Sequence, residues 1–414
     1  MTLSDLKKAK YVFKINSNEI EKNDVFVAYG KGHNYVNDAF SKGASFAVID
    51  TEGKYIGKTI KLNNTTLDFL NESAKILNSK MTIAITGSNG KTTTKECLYY
   101  LLSPHMKTFK TPKNKNTEIG IPLSIFNEYN NEDVAILEMG LRKPGDLELL
   151  SNVYKPDVVF ITNIGSSHME FFKNKEMLSK EKMKITSGMD RGLLILNGDQ
   201  NLKNIAPKNL NILTFGKNEN NDGYLKDFFY YKNNTKVFYT LFGKELMLTL
   251  NGIWTEGHLL DLLSAILFTV FIKVPLDPSV LSQINLPEGR FKLYELKNKT
   301  IIDDSYNASY ESFTNGFKTL ERLKGKKILI MGEVLESGDK KINEKILKET
   351  KNTFDEIYFF DPQNIFSSLK VKKIKSFEEL KKLLNELKGI IYIKASNGTG
   401  INSFLKEYFN NRRQ

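Results

Sequence analysis

The first 80 residues carry their hydrophobic positions in short alternating runs. Residues 25–29 and 46–49 alternate in the manner of half-buried strands, and residues 36–43 between them have the spacing of an amphipathic helix. Runs of this length, separated by polar turns, predict a small α/β unit at the start of the chain.

At residue 81 the pattern changes to longer elements. An apolar strand leads into a glycine-rich turn and a long helix, and further strands are predicted at residues 134–137, 158–162 and 193–196. Strands that alternate with helices are typical of a mostly parallel sheet with helices on both faces. Three strand-like segments within residues 223–251, separated by Asn-Asn-Thr and Phe-Gly-Lys turns, predict an antiparallel insertion.

A new series of strands begins after residue 287, with helical stretches between most of them; they are predicted at residues 292–296, 300–303, 327–331, 357–360 and 390–393. A chain of 414 residues is too long for one compact core, so the changes of pattern indicate domain boundaries. The predicted fold class is α/β with three domains: a small N-terminal α/β domain at residues 1–80, a central domain with a mostly parallel sheet and an antiparallel insertion at 81–286, and a C-terminal Rossmann-like domain at 287–414.

Composition and charge argue against a nucleic-acid-binding protein and against a membrane protein. The chain has 60 lysines and arginines against 48 acidic residues, but the basic residues are scattered and lack the arginine and aromatic interleaving of a surface that binds bases. No nucleic-acid partner is therefore expected. The longest apolar run, residues 259–274, is interrupted by Asp261, Ser264 and Lys273, and the N-terminus lacks a signal-peptide core, so neither a membrane span nor export is predicted. The single cysteine, Cys97, cannot form an internal disulfide, which suits the reducing cytoplasm.

The glycine-rich turn at the start of the central domain carries the strongest chemical signal. It reads Gly87, Ser88, Asn89, Gly90, Lys91, Thr92 and Thr93. Backbone N–H groups of such a turn and of the following helix point at one place, where a polyphosphate can bind while Lys91 balances its charge and Thr92 reaches Mg²⁺. The general P-loop spacing would require glycine at Ile85, so this is the shorter T-G-x-x-G-K-T form. A nucleotide site is predicted here, with a chance Gly-Lys-Thr turn as the alternative.

Two further strands of the same sheet lead to polar side chains. Residues 134–137 end at Glu138, a candidate metal ligand, and residues 158–162 precede His168, which could serve a metal or orient a phosphate. Ligands of open α/β sheets bind outside the carboxyl ends of the strands, so both side chains should lie beside the phosphate loop. A solvated strand end and a structural histidine are the alternatives to these roles.

In their order and spacing these motifs resemble the Mur ligase family. In the central domain the resemblance is carried by T-G-S-N-G-K-T-T, L-E-M-G, I-T-N-I-G-S-S-H and Lys182, which follows His168 by fourteen residues. Residues 24–28 with Gly32 and His33 are similar to the family's UDP-sugar-binding domain, and residues 113–122 to the segment after its first helix. Gly289 with Arg290 and residues 303–308, 331–333 and 394–396 resemble motifs of the family member that adds a dipeptide.

The resemblance implies an ATP-dependent, ADP-forming ligase that makes an amide bond in peptidoglycan precursor synthesis. ATP would phosphorylate the terminal carboxylate of UDP-N-acetylmuramoyl-tripeptide, and the amine of D-alanyl-D-alanine would then displace phosphate from the acyl phosphate. The family pattern implies catalytic roles for Lys91, His168 and Lys182, with Thr92, Glu138, His168 and Lys182 as ligands of two Mg²⁺ ions and Lys182 carbamylated. The enzyme is expected to be a monomer.

The family pattern also implies contacts from the other domains. Arg290 and Asp304 would reach the nucleotide, and substrate contacts are expected from Ser17, Asn114, Asn116, Tyr306, Asn307, Lys394 and Ser396. In the family's G-x-H-x-x-x-N segment this chain has Leu262 at the asparagine position, so no adenine contact is assigned there.

Three alternatives are open. A Mur ligase that adds the third amino acid would share the nucleotide site, although its D-N-P-R-type signature is absent from the sequence. Folylpolyglutamate synthase shares the central and C-terminal architecture but begins near its phosphate loop, whereas 80 residues precede the first strand of the central domain here. A non-catalytic nucleotide-binding protein would require Glu138, His168 and Lys182 to be coincidences.

Overall fold

The computed structural model describes residues 2–165, 172, 174–284, 286, 288–335, 341–366, 369 and 371–410. Its strands form three sheets, of four, nine and six strands, which follow one another along the chain. The α/β class predicted from the sequence is confirmed. Within the described ranges no helix combines the length and the apolar character needed to cross a membrane.

The first sheet is wholly parallel, and its strands pair in chain order. They are β1 Phe13–Lys14, β2 Val25–Val27, β3 Phe46–Ile49 and β4 Lys58–Lys61. Helices α1 Leu3–Lys8, α2 Val36–Ser41 and α3 Thr65–Ile76 accompany this sheet. The strand predicted at 46–49 is present with the same bounds, and the strand predicted at 25–29 and the helix at 36–43 are each two residues shorter.

The middle sheet has the order β13-β12-β11-β10-β9-β8-β5-β7-β6. Its strands are β5 Met81–Thr86, β6 Thr108–Lys110, β7 Val134–Glu138, β8 Val158–Ile161, β9 Leu193–Asn197, β10 Asn211–Gly216, β11 Gly223–Tyr231, β12 Asn234–Leu241 and β13 Lys244–Asn251. Strands β5 to β11 pair in parallel, and β12 and β13 pair antiparallel. The predicted antiparallel segments therefore extend the parallel sheet at one edge and do not form a sheet of their own.

Six helices belong to the middle part of the chain: α4 Lys91–Leu102, α5 Gly120–Glu128, α6 Asp146–Tyr154, α7 Lys175–Met183, α8 Glu256–Phe271 and α9 Pro278–Gln283. They cover both faces of the middle sheet. In β5, Ile83 and Ile85 pack in the cluster that contains α4 and α8, while Ala84 packs in the cluster that contains α5, α6 and α7. Burial on both faces is the reason that these strands appear in the sequence as continuous apolar runs.

The third sheet has the order β14-β15-β19-β16-β17-β18 and is parallel except for the β14–β15 hairpin. Its strands are β14 Lys292–Leu296, β15 Lys299–Asp304, β16 Lys327–Met331, β17 Glu356–Phe360, β18 Lys372–Ile374 and β19 Gly389–Lys394. Its helices are α10 Tyr310–Glu321, α11 Ile342–Glu349, α12 Phe377–Glu386 and α13 Ile401–Asn410. All five strands predicted in this part are present, and β18 was not predicted.

The first and middle parts of the chain are joined through helix α5. The Lys7 ammonium donates to three carbonyls at the end of that helix, those of Ile125, Phe126 and Tyr129, at 2.8, 3.0 and 2.6 Å. The Asn127 amide both donates to and accepts from the backbone of Phe13, at 2.9 and 2.8 Å. A lysine at a helix C-terminus satisfies carbonyls that have no partner within the helix and complements the helix dipole.

We expect Lys7→Met to lower the free energy of unfolding by about 1–3 kcal/mol, because three part-buried carbonyls lose a charged donor. Differential scanning calorimetry should show the transition of the N-terminal part at a lower temperature. Lys8→Met is the matched control, since Lys8 is exposed on the same short helix. Equal melting temperatures of the two variants would show that Lys7 does not stabilise the contact between the first part of the chain and α5.

Candidate functional site

Three parallel strand ends meet at one edge of the middle sheet. Strand β5 lies between β8 and β7, so the glycine-rich turn after β5 is flanked by Glu138 at the end of β7 and by Thr162 after β8. This is the edge at which open α/β sheets bind ligands. The predicted neighbourhood of the phosphate loop and Glu138 is present, whereas His168 lies outside the described residues.

The two glycines of the loop are required by its shape. Gly90 has φ +83° directly before helix α4, and a Cβ there would lie 2.1 Å from the Asp261 Oδ1 atom. Gly87 has φ +154°, and its Cβ would lie 1.8 Å from the Thr162 hydroxyl oxygen. Any side chain would therefore be both strained and blocked. The first N–H groups of α4, which lack partners within the helix, begin immediately after Gly90 and suit an anion.

The segment after β8 fixes the loop in place. The Asn163 carbonyl accepts from the Ser88 N–H at 2.9 Å, and its side-chain oxygen accepts from the Asn89 N–H at 3.0 Å. The Thr162 hydroxyl donates to the Asn89 carbonyl at 2.5 Å, and the Ser88 hydroxyl accepts from the Gly165 N–H at 2.8 Å. This segment belongs to one of the sequence motifs, but no role was predicted for Thr162 or Asn163. They pre-organise the phosphate loop.

Thr92 and Glu138 lie at the centre of the site. The Thr92 hydroxyl donates to Glu138 Oε2 at 3.0 Å and accepts from the Arg290 guanidinium at 3.2 Å, and the Asn116 amide donates to Glu138 Oε1 at 3.0 Å. Lys91 donates to the Gly87 carbonyl at 2.8 Å. The third part of the chain thus contacts the phosphate loop directly through Arg290.

Glu138 is buried yet ionised. Burial by itself raises the pKa of this carboxyl, but Lys95, Lys91 and Arg290 oppose that effect, and the net pKa lies below its usual value. A hydroxyl and a carboxylate that share a hydrogen bond are hard oxygen donors of the kind that Mg²⁺ prefers. Thr92 and Glu138 therefore fit a magnesium ion, although no cluster of three or more His, Cys, Asp or Glu side chains occurs among the described residues.

Lys182 lies on the buried face of α7 and is 1% exposed. Burial, with a smaller contribution from the charge of Lys91, holds the pKa of its amine well below the usual value. The neighbouring Glu181 accepts from the Gly145 N–H at 2.6 Å, which ties α7 to the loop after β7. A lowered pKa favours the neutral amine, and the neutral amine is the form that reacts with CO₂.

The third sheet supplies the opposite wall of a cavity of about 250 Å³. Lys394 is buried and donates to Asp304 Oδ2 at 2.7 Å and to the Asn307 carbonyl at 3.0 Å, and Tyr392 donates to the same Asp304 oxygen at 2.8 Å. Asp304, Asn307 and Lys394 all line the cavity. Lys394 was predicted to contact substrate; it lines the cavity, and its ammonium also holds Asp304 in place.

Position 262 faces away from the cavity, and position 261 faces into it. Leu262 is fully buried in the core between α8 and the sheet, whereas Asp261 and His258 line the cavity. Burial raises the pKa of Asp261 to about 8, and burial together with the charges of Arg290 and Lys394 lowers the pKa of His258 to about 3. Both side chains are therefore neutral near pH 7. No contact was predicted at Leu262, and Asp261 was not predicted to line the cavity.

Four further side chains that were predicted to contact substrate lie in different parts of the chain. Tyr306 stacks on Arg290 with its ring centre 4.6 Å from the guanidinium carbon. Ser396 is buried and accepts from the Leu335 N–H at 3.0 Å. Ser17 is buried in the first part of the chain, and Asn114 is exposed. None of these four residues lines the cavity that the described part of the chain encloses.

Comparison with known proteins shows the family of the chain. A family model described as the Mur ligase middle domain matches residues 85–254, which include the phosphate loop, Glu138 and Lys182. The structure is similar to the MurF ligase of Thermotoga maritima in complex with ADP, with a TM-score of 0.87, 32% identity and 98% of each chain covered. The chain belongs to the Mur ligase family, with the three-domain architecture of that family.

Two curated relatives, ligases of the same name, are similar to this chain. The UDP-N-acetylmuramoyl-tripeptide–D-alanyl-D-alanine ligase of Bacillus subtilis (strain 168) is 29% identical over 404 residues, which cover 91% of this chain and 87% of that protein. The ligase of the same name from Rickettsia prowazekii (strain Madrid E) is 30% identical over 343 residues, which cover 78% and 76%. The similarity to ligases of this one name extends over most of the chain.

Proposed function

We propose that the protein is an ATP-dependent ligase that joins D-alanyl-D-alanine to UDP-N-acetylmuramoyl-tripeptide through an acyl phosphate, releasing ADP and phosphate. The observation that carries this proposal is the contact of Arg290 with Thr92, which joins the third sheet to the phosphate loop over a shared cavity. The relatives that bear the name of this reaction support the choice of substrates.

Amide formation needs a carboxylate with a leaving group. The terminal carboxylate oxygen of the tripeptide attacks the γ-phosphorus of ATP and ADP leaves; the dipeptide amine then attacks the carbonyl carbon, loses a proton and expels phosphate. Lys91 and the first N–H groups of α4 balance the charge of the transferring phosphoryl group, and Arg290 adds a second cation from the opposite wall. These groups are fixed before reaction by hydrogen bonds within the loop.

We propose that Thr92 and Glu138 hold a Mg²⁺ ion, and that Lys182 reacts with CO₂ to form a carbamate that holds a second one. A bound Mg²⁺ would neutralise phosphate charge and polarise the phosphoryl group. In the carbamate step the amine nitrogen bonds to the carbon of CO₂ and loses a proton, which leaves an anionic oxygen ligand. Complete burial and the lowered pKa of Lys182 support this step. His168 remains a predicted ligand of the second ion.

The first sheet is the proposed site for the UDP-sugar, and Asn116 is the proposed contact near the reacting carboxylate. Asn116 already donates to Glu138 at 3.0 Å, so a substrate held there would lie at the metal end of the site. The small-molecule substrates and the single buried cysteine support a cytoplasmic, monomeric enzyme.

We expect D-alanyl-D-alanine to be accepted at least about a hundredfold better than single amino acids, because a shorter amine loses the contacts that position it. A coupled assay of phosphate release with UDP-N-acetylmuramoyl-tripeptide and a panel of dipeptides and amino acids measures this preference. The same panel without the UDP-linked substrate is the control for ATP hydrolysis alone. Addition of lysine or meso-diaminopimelate to the UDP-muramyl-dipeptide would instead assign the chain to the branch that adds the third residue.

A further inference from the structure

A second lysine of helix α4 lies within the site. Lys95 follows Lys91 by one helical turn, and its side chain is completely buried. Its ammonium lies 3.2 Å from Glu138 Oε2 and donates to the Lys113 carbonyl at 2.6 Å. Neither the sequence motifs nor the proposed mechanism uses this residue.

Lys95 completes the set of groups around Glu138. Glu138 Oε2 interacts with the Thr92 hydroxyl at 3.0 Å as well as with the Lys95 ammonium, and Oε1 accepts from Asn116 at 3.0 Å. Both carboxylate oxygens are thus engaged by protein groups. Glu138 is 2% exposed and pairs directly with Lys95, while Lys91 and Arg290 also contribute to the compensation of its charge. Loss of the Lys95 cation would weaken this compensation for a buried carboxylate, which is destabilising.

The Lys113 carbonyl fixes the position of the ammonium. Lys113 has φ +51°, a left-handed conformation that turns the chain just before Asn114 and Asn116. The ammonium therefore bridges the end of β7 and this turn, and its bond to the carbonyl holds it beside Glu138. Two cations beside one carboxylate repel each other, so Lys95 competes with a metal ion for Glu138.

We infer that Lys95 is a positioning residue that acts as the counter-ion of Glu138: it holds the carboxylate in place for a nucleotide-bound divalent cation, and it weakens the binding of that cation. The metal part of this inference rests on the proposed function, in which Glu138 is a metal ligand. The counter-ion part rests only on the contacts that Lys95 makes with Glu138 and with the Lys113 carbonyl.

A double-mutant cycle tests the counter-ion role. Lys95→Met and Glu138→Gln should each lower the melting temperature in EDTA by several degrees, because each removes one member of a buried ion pair and leaves the charge of the other less well compensated. The double variant, which removes both charges, should melt higher than either single variant. Lys110→Met is the matched control, because Lys110 pairs with Glu96 of the same helix and not with Glu138. Additive losses in the double variant would overturn the counter-ion role, and so would a double variant that fails to fold when a single variant folds.

Binding of Mn²⁺ to the ADP-loaded protein, followed by electron paramagnetic resonance, tests the competition. Lys95→Met should bind Mn²⁺ about tenfold more tightly than the wild type, and Mn²⁺ should raise its melting temperature by more. Unchanged or weaker binding would overturn the competition. Absence of Mn²⁺ binding in the wild type would refute the proposed metal site. The double-mutant cycle of Lys95 and Glu138, measured in EDTA, would still test the counter-ion role by itself.

Discussion

Lys91→Ala should reduce the rate of ligation by about a thousandfold or more, which corresponds to about 4 kcal/mol of lost transition-state stabilisation. The Lys91 ammonium lies over the phosphate loop, 2.8 Å from the Gly87 carbonyl, where the charge of a transferring phosphoryl group would develop. Thr92→Ala should have an effect of similar size, because it removes the hydroxyl between Glu138 and Arg290.

The fold should survive both changes, since neither side chain belongs to a hydrophobic cluster. Phosphate release coupled to ligation gives the rate, and thermal melting confirms folding. Lys107→Ala is a suitable control, because Lys107 is exposed beyond the end of α4. A folded Lys91→Ala protein that releases phosphate at a near-normal rate would show that this loop does not bind the reacting phosphates.

Lys182→Ala should also lose ligation, by about a hundredfold or more, and short carboxylic acids should restore part of it. The proposed carbamate is an anionic oxygen ligand, and a small carboxylate is an anionic oxygen ligand that can enter the space left by the lysine side chain. A lysine ammonium has no such oxygen, so a role for the ammonium would not be rescued in this way. The rate of ligation with and without added formate or acetate measures the effect.

Lys180→Ala is the matched control for Lys182. Lys180 lies on the same helix but is exposed and paired with Glu176 at 2.7 Å, so its removal should change neither the rate nor the response to carboxylic acids. Full activity of a folded Lys182→Ala protein without any additive would remove Lys182 from the proposed mechanism. Loss of activity without rescue would leave the lysine essential and contradict the carbamate.

The sequence correctly predicted which segments of the site lie side by side where each segment directly follows a strand of the sheet. The phosphate loop and Glu138 each follow an apolar strand directly, and parallel strands bring their carboxyl ends to one edge. Contacts between distant segments were harder to predict in detail. Arg290 meets Thr92 across 198 residues of sequence, and the partner of Lys394 proved to be Asp304.

Leu262 and Asp261 show how much one residue of helical spacing changes. Neighbouring helical residues point about 100° apart, so a one-residue difference exchanges a core position for a cavity position. No contact was assigned at Leu262, which packs in the core, and the cavity position of Asp261 was not predicted. The buried Lys95 could not be foreseen either, because a lysine on a helix usually has a solvated ammonium.

Helix α5 contributes to two hydrophobic clusters at once. Leu123 and Phe126 pack with the first sheet, while Ile121 and Ile125 pack against the middle sheet, and Lys7 caps the end of the same helix. During synthesis on a ribosome the N-terminal 80 residues therefore cannot complete the burial of their apolar face until the chain has reached residue 129. Until α5 emerges, Phe13 and Phe69 lack Phe126, the ring that both contact, and this uncovered apolar surface is what a chaperone would shield on the nascent chain.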